Sequence, residues 1–184
     1  MKSFVIICAT LYALAWPVCA QAKYKTTTCV IDHVDDGDTI LCSVGRGKRQ
    51  ARVQFELIGI DAPERGDMRN RWPDQPYWEE ATDALAELVL NKVVTVERRA
   101  RIAPGIYRAR VFATVKGRKQ DVSLWMLMNG WAWRDPLTSR TLTPNEQAIY
   151  AQAHGSAIVN NRGLWANKDK EKPVPPRTWR RGIK

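Results

Sequence analysis

The sequence predicts an α+β protein built on a five-stranded β-barrel of OB type with about three packed helices. Three observations point there. Five short stretches carry strand patterning and only one helical stretch interrupts them. The links among the first three are too short for parallel crossovers, which need a dozen residues or more. At 184 residues the chain suffices for one domain with a real core.

Residues 26–34 and 38–44 read as strands around an Asp-Gly turn, the strongest short hairpin signal. Residues 50–60 alternate, with Val53, Phe55 and Leu57 on one face and Arg52, Gln54 and Glu56 on the other. A polar loop over 65–78 leads to a helix over 79–90, whose apolar stripe is Ala81, Ala84, Leu85 and Leu88. Residues 92–99 and 106–115 are strands. The second sets Ala109, Val111, Ala113 and Val115 inward, with Arg108, Arg110 and Phe112 opposite. A short helix over 121–129 stops at Gly130. Thr143-Pro144-Asn145-Glu146 is a capping box with Pro at the first helical position, so a last helix runs from 143 to about 160. No internal repeat is visible.

Residues 1–20 read as a signal peptide, with Lys2, an apolar run and the small-residue site Val18-Cys19-Ala20. The apolar run is short for a membrane span, and no later one exists. A lipid anchor on Cys19 is a weaker alternative, because Val18 suits it poorly. The mature chain is therefore expected to be secreted or periplasmic, to lack an integral membrane segment and to be a monomer. Its domain spans 21–166, and 167–184 forms a basic, Pro-rich tail, disordered or loosely docked. Export leaves Cys29 and Cys42 as an even pair in an oxidising compartment. A register that sets His33 opposite Asp38 also sets Cys29 opposite Cys42, which favours a disulfide over two buried thiols.

The formal charge of +10 falls only to +9 when Lys2 leaves, since the leader has no acidic residue. That field favours polyanions such as nucleic acid without choosing among them.

The chemistry concentrates in two stretches. Asp36-Gly37-Asp38-Thr39 turns between the first two strands, and Asp61-Ala62-Pro63-Glu64 ends the third. An Asp-Gly turn alone is more often only a turn. Two carboxylates, a third nearby and an arginine are, however, the parts a phosphodiester hydrolase needs. Two carboxylates and a backbone carbonyl suit a hard cation such as Ca²⁺. A further carboxylate can deprotonate attacking water, and an Arg fork can hold phosphate oxygens.

DGDT followed by DAPE, an Arg-bearing strand, a Gly-terminated helix before Trp131-Ala132-Trp133 and a last helix ending in Gly163-Leu164-Trp165 resemble the staphylococcal nuclease (thermonuclease) family. The resemblance covers about 23–165. It implies an OB-fold, Ca²⁺-dependent endonuclease acting on DNA and RNA. It also implies Asp38, Asp61 and the Ala62 carbonyl as metal ligands, with Glu64 as general base. The later catalytic arginine falls at Arg110 when counted back from Gly130 without a gap, and Arg108 is its neighbour on the same face. One departure stands out: Glu56 occupies the position of the family's phosphate-binding Arg. Its carboxylate would repel the substrate or compete for the cation, reducing activity. Arg52 and Arg65 are substitute phosphate-binding candidates.

Two alternatives follow. The barrel binds nucleic acid or another anionic polymer without cutting it, as Glu56 suggests, or it is an exported accessory protein of polysaccharide metabolism, for which the sequence offers no positive sign. His33 and His154 suit packing or solvent better than catalysis. Trp125, Trp131, Trp133 and Trp165 belong to the core, while Trp72 and Trp78 are candidates to contact a base.

Overall fold

The computed structural model describes residues 24–45, 50–67, 72–168 and 172–182. The proposed leader and its cleavage site lie outside the described residues. The barrel strands are β1 (Lys25–Asp36), β2 (Thr39–Val44), β3 (Ala51–Leu57), β5 (Val93–Ala103) and β6 (Ile106–Val115). They run in the order β3-β2-β1-β5-β6, and β3 closes on β6. A two-residue β4 (Ile60–Asp61) pairs with β8 (Trp133–Arg134), and β7 (Arg118–Asp121) extends β6. The helices are α1 (Trp78–Val89), α2 (Val122–Asn129), α3 (Pro144–Val159) and α4 (Pro176–Gly182).

The alternation in β3 and β6 sorts their faces as expected. Val53, Phe55, Leu57, Ala109, Val111 and Ala113 are buried in the barrel core. The closing pair β3–β6 is parallel, with Glu56 opposite Arg108. Here α1 and β5 intervene and supply the length that a parallel pair requires. β7 was not anticipated. Its turn has Lys116 and Gly117 both at positive φ, the geometry favoured in two-residue hairpins.

The β1–β2 hairpin departs from the expected register. Its turn is Gly37-Asp38, with Asp36 opposite Thr39, and Ile31 rather than Cys29 lies opposite Cys42. Register shifts between Ile31 and His33 and between Val34 and Asp36 slide the strands, setting His33 opposite Leu41. Cys29 faces Val94 of β5, yet it joins Cys42 in a disulfide with Cα atoms 6.1 Å apart. Gly37 is required for a different reason than the turn rule supplies. It does not adopt a left-handed φ; a Cβ there would stand 2.7 Å from the Ala62 Cβ and 3.0 Å from the Ala81 Cβ. The glycine lets the acidic turn settle onto both the DAPE loop and α1.

Asp121 opens α2 by accepting the Leu124 N–H, and Thr143 and Glu146 form the complete capping box of α3. The tail holds more order than its composition suggests. Residues 172–175 lead into α4, with Pro173 and Pro176 buried. No helix among the described residues is long and apolar enough to cross a membrane.

Candidate active site

The two acidic motifs meet through one hydrogen bond. The Ala62 N–H donates to Asp38 Oδ2 at 2.9 Å, tying the β1–β2 turn to the loop after β4. The other Asp38 oxygen accepts from the Thr39 hydroxyl at 3.1 Å, and the Asp38 N–H donates to Asp36 Oδ1 at 3.0 Å. The Asp38 carbonyl accepts the Leu57 N–H at 2.8 Å, so the turn is also fixed to β3. Residue 38 is thus fixed through its carboxylate and through its main chain.

Asp38 and Asp61 border a cavity of about 450 Å³ together with Asp36, Glu56, Glu64 and Arg108. Burial, then the nearby Asp36, and more weakly Asp61, push the Asp38 carboxyl well above the usual carboxylate range. Burial also raises Asp61, and the Arg180 guanidinium opposes that rise. A further stretch of the lining is Asp135, Leu137 and Thr138. It is pinned to the β3–β4 turn: the Asp135 N–H donates to the Gly59 carbonyl, and the Gly59 N–H donates to the Thr138 hydroxyl at 3.0 Å.

Glu64 sits in a loop clamped by Gln75, which is only 2 % exposed. The Glu64 N–H donates to Gln75 Oε1 at 3.1 Å, and the Gln75 N–H donates to the Glu64 carbonyl at 3.0 Å. A buried amide with partners on both sides fixes the backbone of the loop without using the Glu64 side chain.

The arginines divide. Arg108 reaches the cavity and stands 3.5 Å from Glu56. Arg110 points elsewhere: it donates to Asp121 Oδ2 at 2.6 Å and contacts Glu146, while the Tyr150 hydroxyl donates to the same Asp121 oxygen at 2.7 Å. Arg110 thus ties β6 to β7 and α3 outside the cavity. Arg52 pairs with Asp32 at 3.2 Å, and Arg65 lies over the Trp78 ring and 3.9 Å from Asp35; neither borders the cavity. Arg110→Ala is expected to act on stability. Removing one partner of a largely buried pair costs on the order of 3 kcal/mol. Thermal unfolding should shift strongly down while the folded fraction retains its turnover. A folded variant with an unchanged midpoint and lost turnover would return Arg110 to the chemistry.

Two arginines come from the tail. Arg180 Nη2 donates to both Asp61 oxygens at 3.2–3.3 Å, and Nη1 donates to Asp61 and contacts Glu64. Arg177 lies 3.7 Å from Asp135. Arg177, Arg180, Asp135, Thr138 and Gln75 all lie outside the two acidic motifs, so local pattern does not single them out. Asp36 was visible within DGDT but received no role.

The remaining aromatic and imidazole groups are simpler. Trp133 and Trp165 are buried edge-to-face at 5.4 Å, and His154 packs on Trp165, its pKa lowered by burial and then by Arg134. His33 is exposed, 3.8 Å from Asp35. Trp72 is 38 % exposed beside the loop.

Asp36, Asp38 and Asp61 offer only oxygen donors to the cavity, and the Ala62 carbonyl is the next oxygen along the chain from Asp61. That donor chemistry fits Ca²⁺. Among the described residues no three His, Cys, Asp or Glu side chains form a ready-made cage.

A closed barrel with this acidic cleft is the architecture of an OB-fold nuclease domain. Residues 54–167 match the staphylococcal nuclease homologue family, and the chain belongs to that family. An uncharacterized endonuclease of Haemophilus influenzae is 30 % identical over 175 residues, covering 95 % of this chain and 85 % of its own. One from Escherichia coli O157:H7 is 30 % identical over 171 residues, covering 92 % and 93 %. A probable staphylococcal-like nuclease of rice is 27 % identical over 164 residues, or 86 % of this chain and 37 % of its own.

Proposed function

We propose that the protein hydrolyses phosphodiester bonds of DNA or RNA in a Ca²⁺-dependent reaction, as an endonuclease. The observation that carries this reading is the hydrogen bond from Ala62 to Asp38. It unites the two acidic motifs on one wall of an open cavity that also holds Glu64 and Arg108. Family membership and relatives named as endonucleases support it.

Asp38, Asp61 and the Ala62 carbonyl would hold the cation, which when bound supplies positive charge against the phosphate oxygens. Glu64 takes the proton from the attacking water as its oxygen bonds to phosphorus and the ester oxygen departs. Arg108, not Arg110, faces the phosphate, because of these two strand arginines Arg108 alone borders the cavity. Glu56 offsets part of its charge and tempers turnover. Export to the periplasm or medium is part of the proposal, supported by the disulfide.

Purified protein incubated with single-stranded DNA and with RNA, in Ca²⁺ and in chelator, tests this. Cleavage in Ca²⁺ that stops with chelator is expected; cleavage of neither substrate would overturn the reading. The second reading, binding without cutting, is favoured by one contact, the Glu56 carboxylate against Arg108. It predicts oligonucleotide affinity in the same samples with no products.

A further inference from the structure

We infer that the C-terminal tail completes the active site, and that Arg180 is a phosphate-binding residue supplying the guanidinium that β3 lacks. The inference rests on the nuclease reading above. Six carboxylates border the cavity: Asp36, Asp38, Glu56, Asp61, Glu64 and Asp135. Against them the barrel sets one arginine, Arg108, already beside Glu56. A cleft so acidic repels a polyanion even with one divalent cation bound. The tail raises the arginines to three by adding Arg177 and Arg180.

The placement of the tail is built into the fold. Gln75 Nε2 donates to the Val174 carbonyl at 2.7 Å, so the same buried amide that clamps the Glu64 loop also clamps the tail. Pro173 and Pro176 are buried, and Trp179 borders a small cavity with Tyr77 and Trp133. Proline on both sides of Val174 presets an extended backbone and lowers the entropy lost on docking. The chain is thereby led past the cleft, and Arg180 is delivered to Asp61 and Glu64.

A strap that merely blocks the cleft is the competing device. The geometry disfavours it. Arg180 forms part of the wall of a cavity that stays open at about 450 Å³, and its side chain remains 37 % exposed. A guanidinium has five donors in a fork, so it can keep Asp61 with one edge and offer another to a phosphate. Its partners are the two carboxylates assigned to the cation and to the water, which puts that edge where a scissile phosphate must lie.

The test uses the full chain with Arg180→Ala and Arg180→Lys, Ca²⁺ throughout. Binding of a short fluorescent phosphorothioate oligonucleotide is read by anisotropy against salt, and cleavage is read on the phosphodiester version. Arg180→Ala is expected to weaken binding and lower kcat/KM by about 10–100-fold, the size of a charged hydrogen bond. The slope of log affinity against log salt should shrink by about one contact. Arg180→Lys should restore the slope and part of the affinity, and the thermal midpoint should hold. Unchanged or tighter binding with equal or faster cleavage in Arg180→Ala would make the tail a blocking strap and overturn the inference. If the wild type cleaves neither substrate, the nuclease reading fails, while the affinity and salt slope still decide whether Arg180 binds phosphate.

Discussion

Glu64→Gln is expected to slow cleavage by about 10²–10⁴-fold, the usual loss when a positioned base is removed. The substitution is close to isosteric, and the loop it sits in is held by its backbone rather than by the side chain. Both main-chain bonds run to Gln75, at 3.1 and 3.0 Å, and neither involves the carboxylate. The fold and the position of the side chain therefore survive, and only the ability to take a proton is lost. Arg180 keeps Asp61 and can still donate to the amide oxygen at position 64, losing there only the charge of the acceptor. Oligonucleotide affinity should consequently hold or rise while the single-turnover rate collapses. A variant that cleaves at the wild-type rate would pass the role to another carboxylate of the cavity, with Asp36 and Asp135 next to be changed.

The parts of this site that were legible in the sequence are those carried by local pattern. DGDT and DAPE are contiguous, and alternation in β3 and β6 sorts core from cleft faces, so Asp38, Asp61 and the barrel itself could be read directly. What failed was register. The Asp-Gly pair suggested a turn ahead of Asp38, whereas the turn is Gly37-Asp38 and two register shifts displace the ladder. Periodicity reports faces but not slips along a strand. Arg108 and Arg110 share a face by count, yet the barrel closes between them: Arg108 meets Glu56 across the parallel pair with β3, and Arg110 meets Asp121 on β7. Counting residues from Gly130 takes no account of closure. The tail was hidden for a third reason. Its order comes from docking on Gln75 and on the barrel's own carboxylates, whereas composition alone suggests a solvated electrostatic arm that at most strengthens polyanion binding.

Gly37→Ala is expected to damage activity far more than a single methyl suggests. The added Cβ would lie 2.7 Å from the Ala62 Cβ and 3.0 Å from the Ala81 Cβ, both rigid positions. Relief requires the acidic turn to move off the DAPE loop by about 1 Å, and a misplacement of that size can cost about 10²-fold in rate. The movement acts at the most sensitive point, because the Ala62 N–H to Asp38 bond is what brings the two motifs together. Overpacking should also lower stability by about 1–3 kcal/mol. Adding Ala62→Gly removes the shorter contact and keeps the carbonyl and N–H of residue 62, so the double variant should regain part of both losses. The Ala81 contact limits that recovery. Ca²⁺ titration calorimetry, single-turnover cleavage and thermal unfolding on the three variants separate the effects. Wild-type cleavage by Gly37→Ala would mean that the turn and the loop need not touch for the site to work.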